Sequence, residues 1–275
     1  TYGVPWTPGE TRQVWDIEAR VEFNAQAKPV KASLAAPHTQ NGFTLISESS
    51  SSPGYGVSYV NTETGRRAEW SIRHAVGPQT IYYKAQFLVD PQAKVEPLKP
   101  DQDITPPTFD GPTEAAAISL IERANKRSAD DITFTRELIK ILNDSDSQNA
   151  ALLLNKMSKV EAVDKILAHA QIPSKVVGVI ELEDGRRRQT IQQMNQVWNG
   201  KEWILFNPQN ANQVIAENIL VWDESNVSLL DIIGGQNSQV HFSMIAQEVS
   251  PKQATLDKVE ADGLLNFSIH SLPLE

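Results

Sequence analysis

Residues 91–112 carry six of the chain's sixteen prolines, with Asp101, Asp103 and Asp110 between them. Proline fixes φ and removes an amide donor, so neither a helix nor a central strand passes easily through such a stretch. It reads as an extended connector, and the chain should fold differently on its two sides. On the N-terminal side, runs at 14–23, 43–47, 56–61, 68–74 and 81–89 are of β type. In the first of them Trp15, Ile17, Ala19, Val21 and Phe23 alternate with Asp16, Glu18, Arg20 and Glu22, the pattern of a strand with one buried face. Several short strands punctuated by Gly, Pro, Ser and Asn predict a β-sandwich over residues 1–95. Residues 47–52 with Pro53-Gly54 read as a short low-complexity loop.

On the C-terminal side the period changes. Pro112-Thr113 opens a helical run to about residue 126, with Thr113 as cap and Glu114 in the first turn, and a second helix is predicted over 129–142. The string Asp144-Ser145-Asp146-Ser147-Gln148 starts like a calcium loop but lacks the glycine and the distal glutamate of one, so no metal site is expected. Ser158-Lys159-Val160-Glu161 reads as a capping box. Apolar residues at 160, 163, 166 and 167 then form one helical stripe. Beyond Pro208 the runs 218–222, 228–232, 240–249 and 266–272 return to strands, which either complete a central sheet or form a small third unit.

After the predicted helix come Ile172-Pro173-Ser174-Lys175-Val176-Val177, a turn at Asp184-Gly185, the run from Gln192 through Met194, Gln196 and Trp198 to Gly200, and Trp203-Ile204-Leu205-Phe206-Asn207-Pro208. Over about 113–212 this order resembles the transglutaminase-like, papain-type family. There a cysteine opens a helix, Gly-Ile-Pro-x-Arg starts a strand, His-Ala-Trp-x-Glu-Val lies on the next, and an aspartate precedes proline. Counting back from Ile172 puts the family's cysteine at Lys156, with Met157 and Ser158 also admitted. Counting back from Gly200 and Trp203 puts its histidine at Gln192, its tryptophan at Met194 and its glutamate at Gln196. The aspartate falls on Asn207.

The substituted letters remove the chemistry. Acyl transfer by a thiol needs a thiolate, an imidazole to move the proton and a group to orient the ring. This chain has no cysteine, glutamine does not exchange protons near neutral pH, and asparagine carries no charge. None of the five histidines (His38, His74, His169, His241, His270) falls in the motif strands. His169, nearest in sequence, reads as a packed or solvent-facing residue at a helix end. Ser158 without an adjacent base reads as a helix cap. The chain is therefore expected to be no enzyme, with Lys156, Gln192 and Asn207 as vestigial triad positions lying close together in space.

The whole arrangement is similar to the soluble portion of a more specific family, the inactive transglutaminases fused to seven transmembrane helices. That resemblance implies an α+β fold: an N-terminal β-sandwich, a Pro-rich linker at 96–112, a degenerate core at 113–212 and a β-rich juxtamembrane tail at 213–275. It also implies an anchor helix before Thr1, a periplasmic location at a bacterial inner membrane and a membrane bundle after Glu275. The start at Thr1 without an initiator methionine fits a piece of a longer product. By the same resemblance the partners are the chain's own transmembrane segments, with an ATP-grasp amino-acid ligase and a retropepsin-like protease system nearby. No cofactor is implied.

A formal charge of −9 disfavours nucleic acid, whose phosphates need clustered cations. The one basic run, Arg186-Arg187-Arg188, follows the Asp184-Gly185 turn and reads as a solvated edge. No run of eighteen apolar residues is present to span a bilayer, and disulfides or thiolate metal sites have no cysteine to form them. Gln192, Met194, Gln196 and Trp198 share one strand face, and amides beside an indole suit capture of an amide-rich ligand. With Ser158 and Asn207 they make the expected groove of a binding or sensing module for a peptide or protein segment. A hydrolase or acyltransferase with relocated catalytic groups, and a structural spacer, are the alternatives.

Overall fold

The computed structural model describes residues 10–210, 218–224 and 228–250, so the strand expected at 266–272 and His270 lie outside the described residues. In chain order the elements are β1 (Arg12–Ala36), β2 (Gly42–Ser51), β3 (Gly56–Thr62), β4 (Gly65–Asp90), α1 (Gly111–Lys126), α2 (Asp131–Leu142), α3 (Gln148–Leu154), α4 (Lys159–His169), β5 (Ser174–Glu181), β6 (Gln192–Trp198), β7 (Trp203–Phe206), β8 (Ile219–Asp223), β9 (Leu230–Ile233) and β10 (Gly235–Val249). The chain divides into two units, one of Thr1–Val95, Val179–Gln192 and Asn218–Glu275, the other of Glu96–Gly178 and Gln193–Glu217.

In the first unit β1 and β4 run antiparallel from Val14↔Leu88 to Ala36↔Arg66. On the far side of β1 lie β10, from Arg12↔Val249 to Ala25↔Gly235, and β9, from Lys31↔Ile233 to Leu34↔Leu230. On the far side of β4, β2 covers Tyr82 to Asp90 and β3 covers Gly65 to Ser71. At the level of hydrogen bonding the region expected as a β-sandwich is one connected, six-stranded sheet. The runs expected as separate strands at 68–74 and 81–89 are both part of β4. Strands β9 and β10, which fall in the region expected as a tail, belong to this same sheet.

Three neighbouring strands are irregular at one level. In β1, Ala27 has φ 57° and the register shifts on both sides of Lys28; in β4, Gly77 has φ 78° and sits opposite Ala25; between β9 and β10, Gly234 has φ 88°. The Gly234 carbonyl accepts from the Gln26 amide at 3.0 Å. Bulges bend strands and increase their twist, and they tolerate Pro29 and Pro78, which have no amide to give to the ladder. Gly-Pro at 77–78 is thus a kink within a strand, where sequence punctuation suggested an end.

The alternation read from the sequence is realised: Trp15, Ile17, Ala19, Val21 and Phe23 are buried. They pack with Tyr83, Phe87, Trp222 and Phe242 in one core. Trp222 meets Tyr83 and Phe242 edge-to-face, at centroid distances of 5.7 and 4.8 Å. Its indole donates to the Ala35 carbonyl at 2.8 Å, the partner a buried indole N–H needs. The segment after the Asp184-Gly185 turn lies along the open edge of β10. The Gly185 amide donates to Met244, the Met244 amide donates to Arg186, and Gln189 and Phe242 exchange both backbone bonds. The side chain of Gln189 then imitates a peptide group toward β5, accepting from the Glu181 amide at 2.7 Å and donating to its carbonyl at 2.8 Å. Arg186, Arg187 and Arg188 are exposed on this segment.

The second unit is built on helices. The first begins earlier than expected: Asp110 is the N-cap of α1 and Pro112 sits in its first turn. Thr113, expected as the cap, is buried inside the helix and its hydroxyl donates to the Asp110 carbonyl at 2.7 Å. Asp130 and Thr133 form a reciprocal capping box for α2. The acidic string at 144–148 is a capped turn: the Asp144 carboxylate accepts the Asp146 amide at 2.9 Å, and Ser147 caps α3, a short helix not anticipated. Leu120, Leu138, Ile139, Leu153, Val163 and Ile166 are fully buried in the helical core. A second sheet has the order β7-β6-β5-β8. Residues 93–110 contain no helix or strand, as the prolines require.

A Cβ on Gly234 would lie 2.1 Å from the Pro29 carbonyl oxygen, whereas one on Gly42, also at positive φ (+87°), meets nothing within 4 Å. Gly234→Ala adds an overlap to the backbone strain, and its unfolding free energy in urea should fall by about 3 kcal/mol. Gly42→Ala should lose only about 1 kcal/mol. Equal losses at the two positions would show that the bend tolerates a side chain.

Candidate functional site

The residues expected to form the site are organised by strand β6, whose two faces have separate duties. Asn195 is fully buried and its Nδ2 donates to the Val160 carbonyl in the first turn of α4 at 3.1 Å. Val197, two residues on, packs into the helical core with Val163, Ile166 and Leu167. Successive strand residues point to opposite faces, so Gln192, Met194, Gln196 and Trp198 look away from α4. Gln192 is exposed, Met194 and Gln196 are buried, and Trp198 is half-buried.

Strand β7 extends this second face. Gln196 pairs with Leu205 and Trp198 with Trp203, and the two indoles meet edge-to-face at 5.3 Å. The ammonium of Lys175, which stands where the family pattern has arginine, lies 4.4 Å from the centre of the Trp203 ring. The Trp203 indole N–H donates to the Leu98 carbonyl at 2.8 Å. Two buried amide oxygens, Asn195 Oδ1 and Gln196 Oε1, have no hydrogen-bond partner among the described residues. Buried polar atoms are almost always paired, and an unpaired one costs about 1–3 kcal/mol.

The other sequence-predicted positions are engaged locally. Lys156 is exposed in the turn between α3 and α4, its amide donating to the Leu153 carbonyl. Met157 packs at the margin of the helical core. Ser158 is the N-cap of α4, and its hydroxyl accepts from the Glu161 amide at 3.3 Å. Asn207 follows the last residue of β7, and its side-chain oxygen accepts the Gln209 amide at 3.0 Å, closing a tight turn. Among the described residues no hydrogen bond or ion pair joins Lys156, Gln192 or Asn207 to another of the three. What ties the helix start to β6 is Asn195, which sequence reading passed over. A polar residue between Met194 and Gln196 is the signal in the sequence that both faces of the strand are occupied.

Few titratable groups stand nearby. Burial pushes the Asp164 carboxyl on α4 above its ordinary value, and the Ser174 hydroxyl, 3.4 Å away, pulls it back. His169 is exposed at the end of α4, its ring edge-on to Phe109 at 6.1 Å. The amides of Gln192 and Gln196 can donate and accept hydrogen bonds but do not exchange protons near neutral pH, and the indole of Trp198 can stack.

The profile of the family described as inactive transglutaminase fused to 7 transmembrane helices matches residues 1–157. The match thus covers the long strands, the proline connector and the helices up to the Lys156 turn. No curated protein sequence matches the chain. Among solved structures, the chain is similar to a protein from Cytophaga hutchinsonii provisionally assigned as a cysteine protease. The TM-score is 0.56 at 12% identity, covering 87% of this chain and 91% of that one. A weaker likeness, TM-score 0.35 at 13% identity over 70% of this chain and 89% of the other, is to the periplasmic domain of TgpA from Pseudomonas aeruginosa bound to ethylmercury. The first likeness shows a common α+β fold.

Where the transglutaminase pattern has glycine before Ile-Pro, this chain has Gln171 at φ 60°. It ends α4 in a Schellman turn, the Ile172 amide donating to Leu167 and the Gln171 amide to Ala168. A side chain in this conformation is strained by about 1–2 kcal/mol, part of which glycine's greater chain entropy gives back. Gln171→Gly should therefore raise unfolding stability by about 0.5–1 kcal/mol, read as a higher melting temperature. A lower one would mean that the Gln171 side chain contributes more than its backbone strain removes.

Proposed function

The chain belongs to the family of inactive transglutaminases fused to seven transmembrane helices, and from that membership we propose that it is a non-catalytic binding module. In this reading it sits on the periplasmic side of a bacterial inner membrane. The outer face of β6 receives a peptide or protein segment, and occupancy is reported to the chain's own membrane-spanning part. Among the described residues no helix is long and apolar enough to cross a membrane.

The observation that carries this reading is Gln196. Its side-chain oxygen is buried without a partner, on the face that also bears Gln192 and Trp198. A ligand amide supplies the donor that oxygen lacks, the indoles supply apolar contact, and Gln192 at the exposed start of the strand can both donate and accept. An enzyme with relocated groups needs a proton carrier, and this face offers none. The amino-acid ligase and protease implied by the family resemblance would then make or trim the peptides that the module senses.

Three outcomes follow from this reading. The isolated chain should show no turnover of peptide or amine-donor panels; turnover abolished by Gln192→Trp or Ser158→Ala would reinstate an enzyme. Gln196→Met removes the unpaired oxygen at nearly constant volume, and should stabilise the unliganded chain by about 1–3 kcal/mol while weakening peptide capture. In the full-length protein, Gln192→Trp should change the set of co-purifying peptides and partner proteins. Identical sets and an unchanged phenotype would favour the spacer.

A further inference from the structure

We propose that the Trp198–Trp203 platform reads proline-rich extended segments, and that the chain's own Pro97-Leu98-Lys99-Pro100 occupies it as a displaceable internal ligand. This inference rests on the reading of the β6 face as a binding surface and names the class of ligand.

The parts needed for polyproline recognition are present: an indole donor, a second indole beside it and an extended segment with two prolines. Pro97 and Pro100 are three residues apart in a segment without helix or strand. In a polyproline helix of three residues per turn they lie on the same side, and the carbonyls between them have no internal partner. An indole N–H is a donor only, and that of Trp203 meets the Leu98 carbonyl at 2.8 Å. Trp198 stands edge-on to Trp203, and Lys175 covers the ring from the β5 side, so the donor is set in a firm aromatic wall. Domains that bind Pro-x-x-Pro segments use such aromatic-lined grooves, because the ligand is already extended and loses little entropy on docking.

The internal segment is held weakly. Among the described residues, the Trp203–Leu98 bond is the one hydrogen bond that fastens the backbone of residues 96–108. Leu98 itself leaves 82% of its surface in solvent, and Pro97 and Lys99 are exposed as well. The hold observed is the Leu98 carbonyl on the Trp203 indole, a backbone feature that any extended proline-bearing segment can present. An incoming segment competes with the internal one, and its apparent affinity is reduced by the fraction of molecules in which the platform is filled.

The test uses a synthetic peptide with the sequence of residues 94–103, a control peptide with alanine at both proline positions, and the whole chain. Binding is followed by the Trp203 indole resonance and by tryptophan fluorescence. The chain carrying Pro97→Ala and Pro100→Ala should bind the proline peptide about tenfold or more tightly than the unaltered chain does, with a shift of the Trp203 indole signal. The control peptide should not bind. Adding Trp203→Phe, which keeps an aromatic ring and removes the donor, should abolish the gain. The inference is overturned if the peptide binds both chains equally, if the control peptide binds as well, or if the double-proline variant leaves the Trp203 indole signal unmoved. Should the peptide fail while Gln196→Met still alters peptide capture, the ligand class is wrong and the binding module stands; should both fail, the module falls too.

Discussion

Every other strand of the six-stranded sheet takes its register from the β1–β4 ladder. Strands β9 and β10 are laid against β1, and β2 and β3 against β4, so one error in the central pairing would propagate to all of them. Side chains alternate along a strand, and a slip of one residue would bring Asp16 and Glu18 into the core in place of Trp15 and Ile17. The bulges at Ala27, Gly77 and Gly234 oppose such a slip, since they fit only when they stand level. The outer face adds a polar row across the same strands: the Ser47 hydroxyl donates to Gln86, and Gln86 and Gln247 both donate to the Asp16 carboxylate. Burial raises the Asp16 carboxyl above its ordinary value, and the bond from Gln86 works against that.

In the second unit one joint sets the strand that bears the expected site residues against its helix. A helix begins beside a strand, and the two are joined by Asn195 and the Val160 carbonyl. Nothing in that joint depends on a thiol or an imidazole. The packing of Val197 with α4 fixes the strand against the helix whichever residue occupies the exposed end. The face turned away from α4 carries amide and indole side chains, Gln192, Gln196 and Trp198.

How much of this was legible in the sequence varied with the physics behind each signal. Period-two alternation from Trp15 to Phe23 and the helical stripe from Val160 to Leu167 report burial directly, and both were read correctly. Ser158 was recognised as a cap because its hydroxyl acts on its own helix. Thr113 was expected as the cap because it directly follows Pro112, although Asp110, a favoured N-cap residue, stands two residues before that proline. The helix Gln148–Leu154 is too short for periodicity to show. Gly77-Pro78 has the letters of a turn, and only the matching irregularities in β1 and at Gly234, more than 150 residues away, make it a kink. The role of Asn195 was missed because a one-residue shift of attention along a strand exchanges its faces. The family profile, for its part, rests on residues 1–157, ahead of the strands that carry Gln192 and Trp203.

Arg12 and Val249 are paired at the same end of neighbouring antiparallel strands. A force drawing those two residues apart runs across the strands, along the hydrogen bonds, and not along the strand axes. It would load the Arg12–Val249 pair first, then the next, opening the sheet like a zipper. A sheet joined in that way yields to small tension at its mouth while remaining stable in solution. Mechanical compliance is thus written into the order of the strands, apart from anything the β6 face binds.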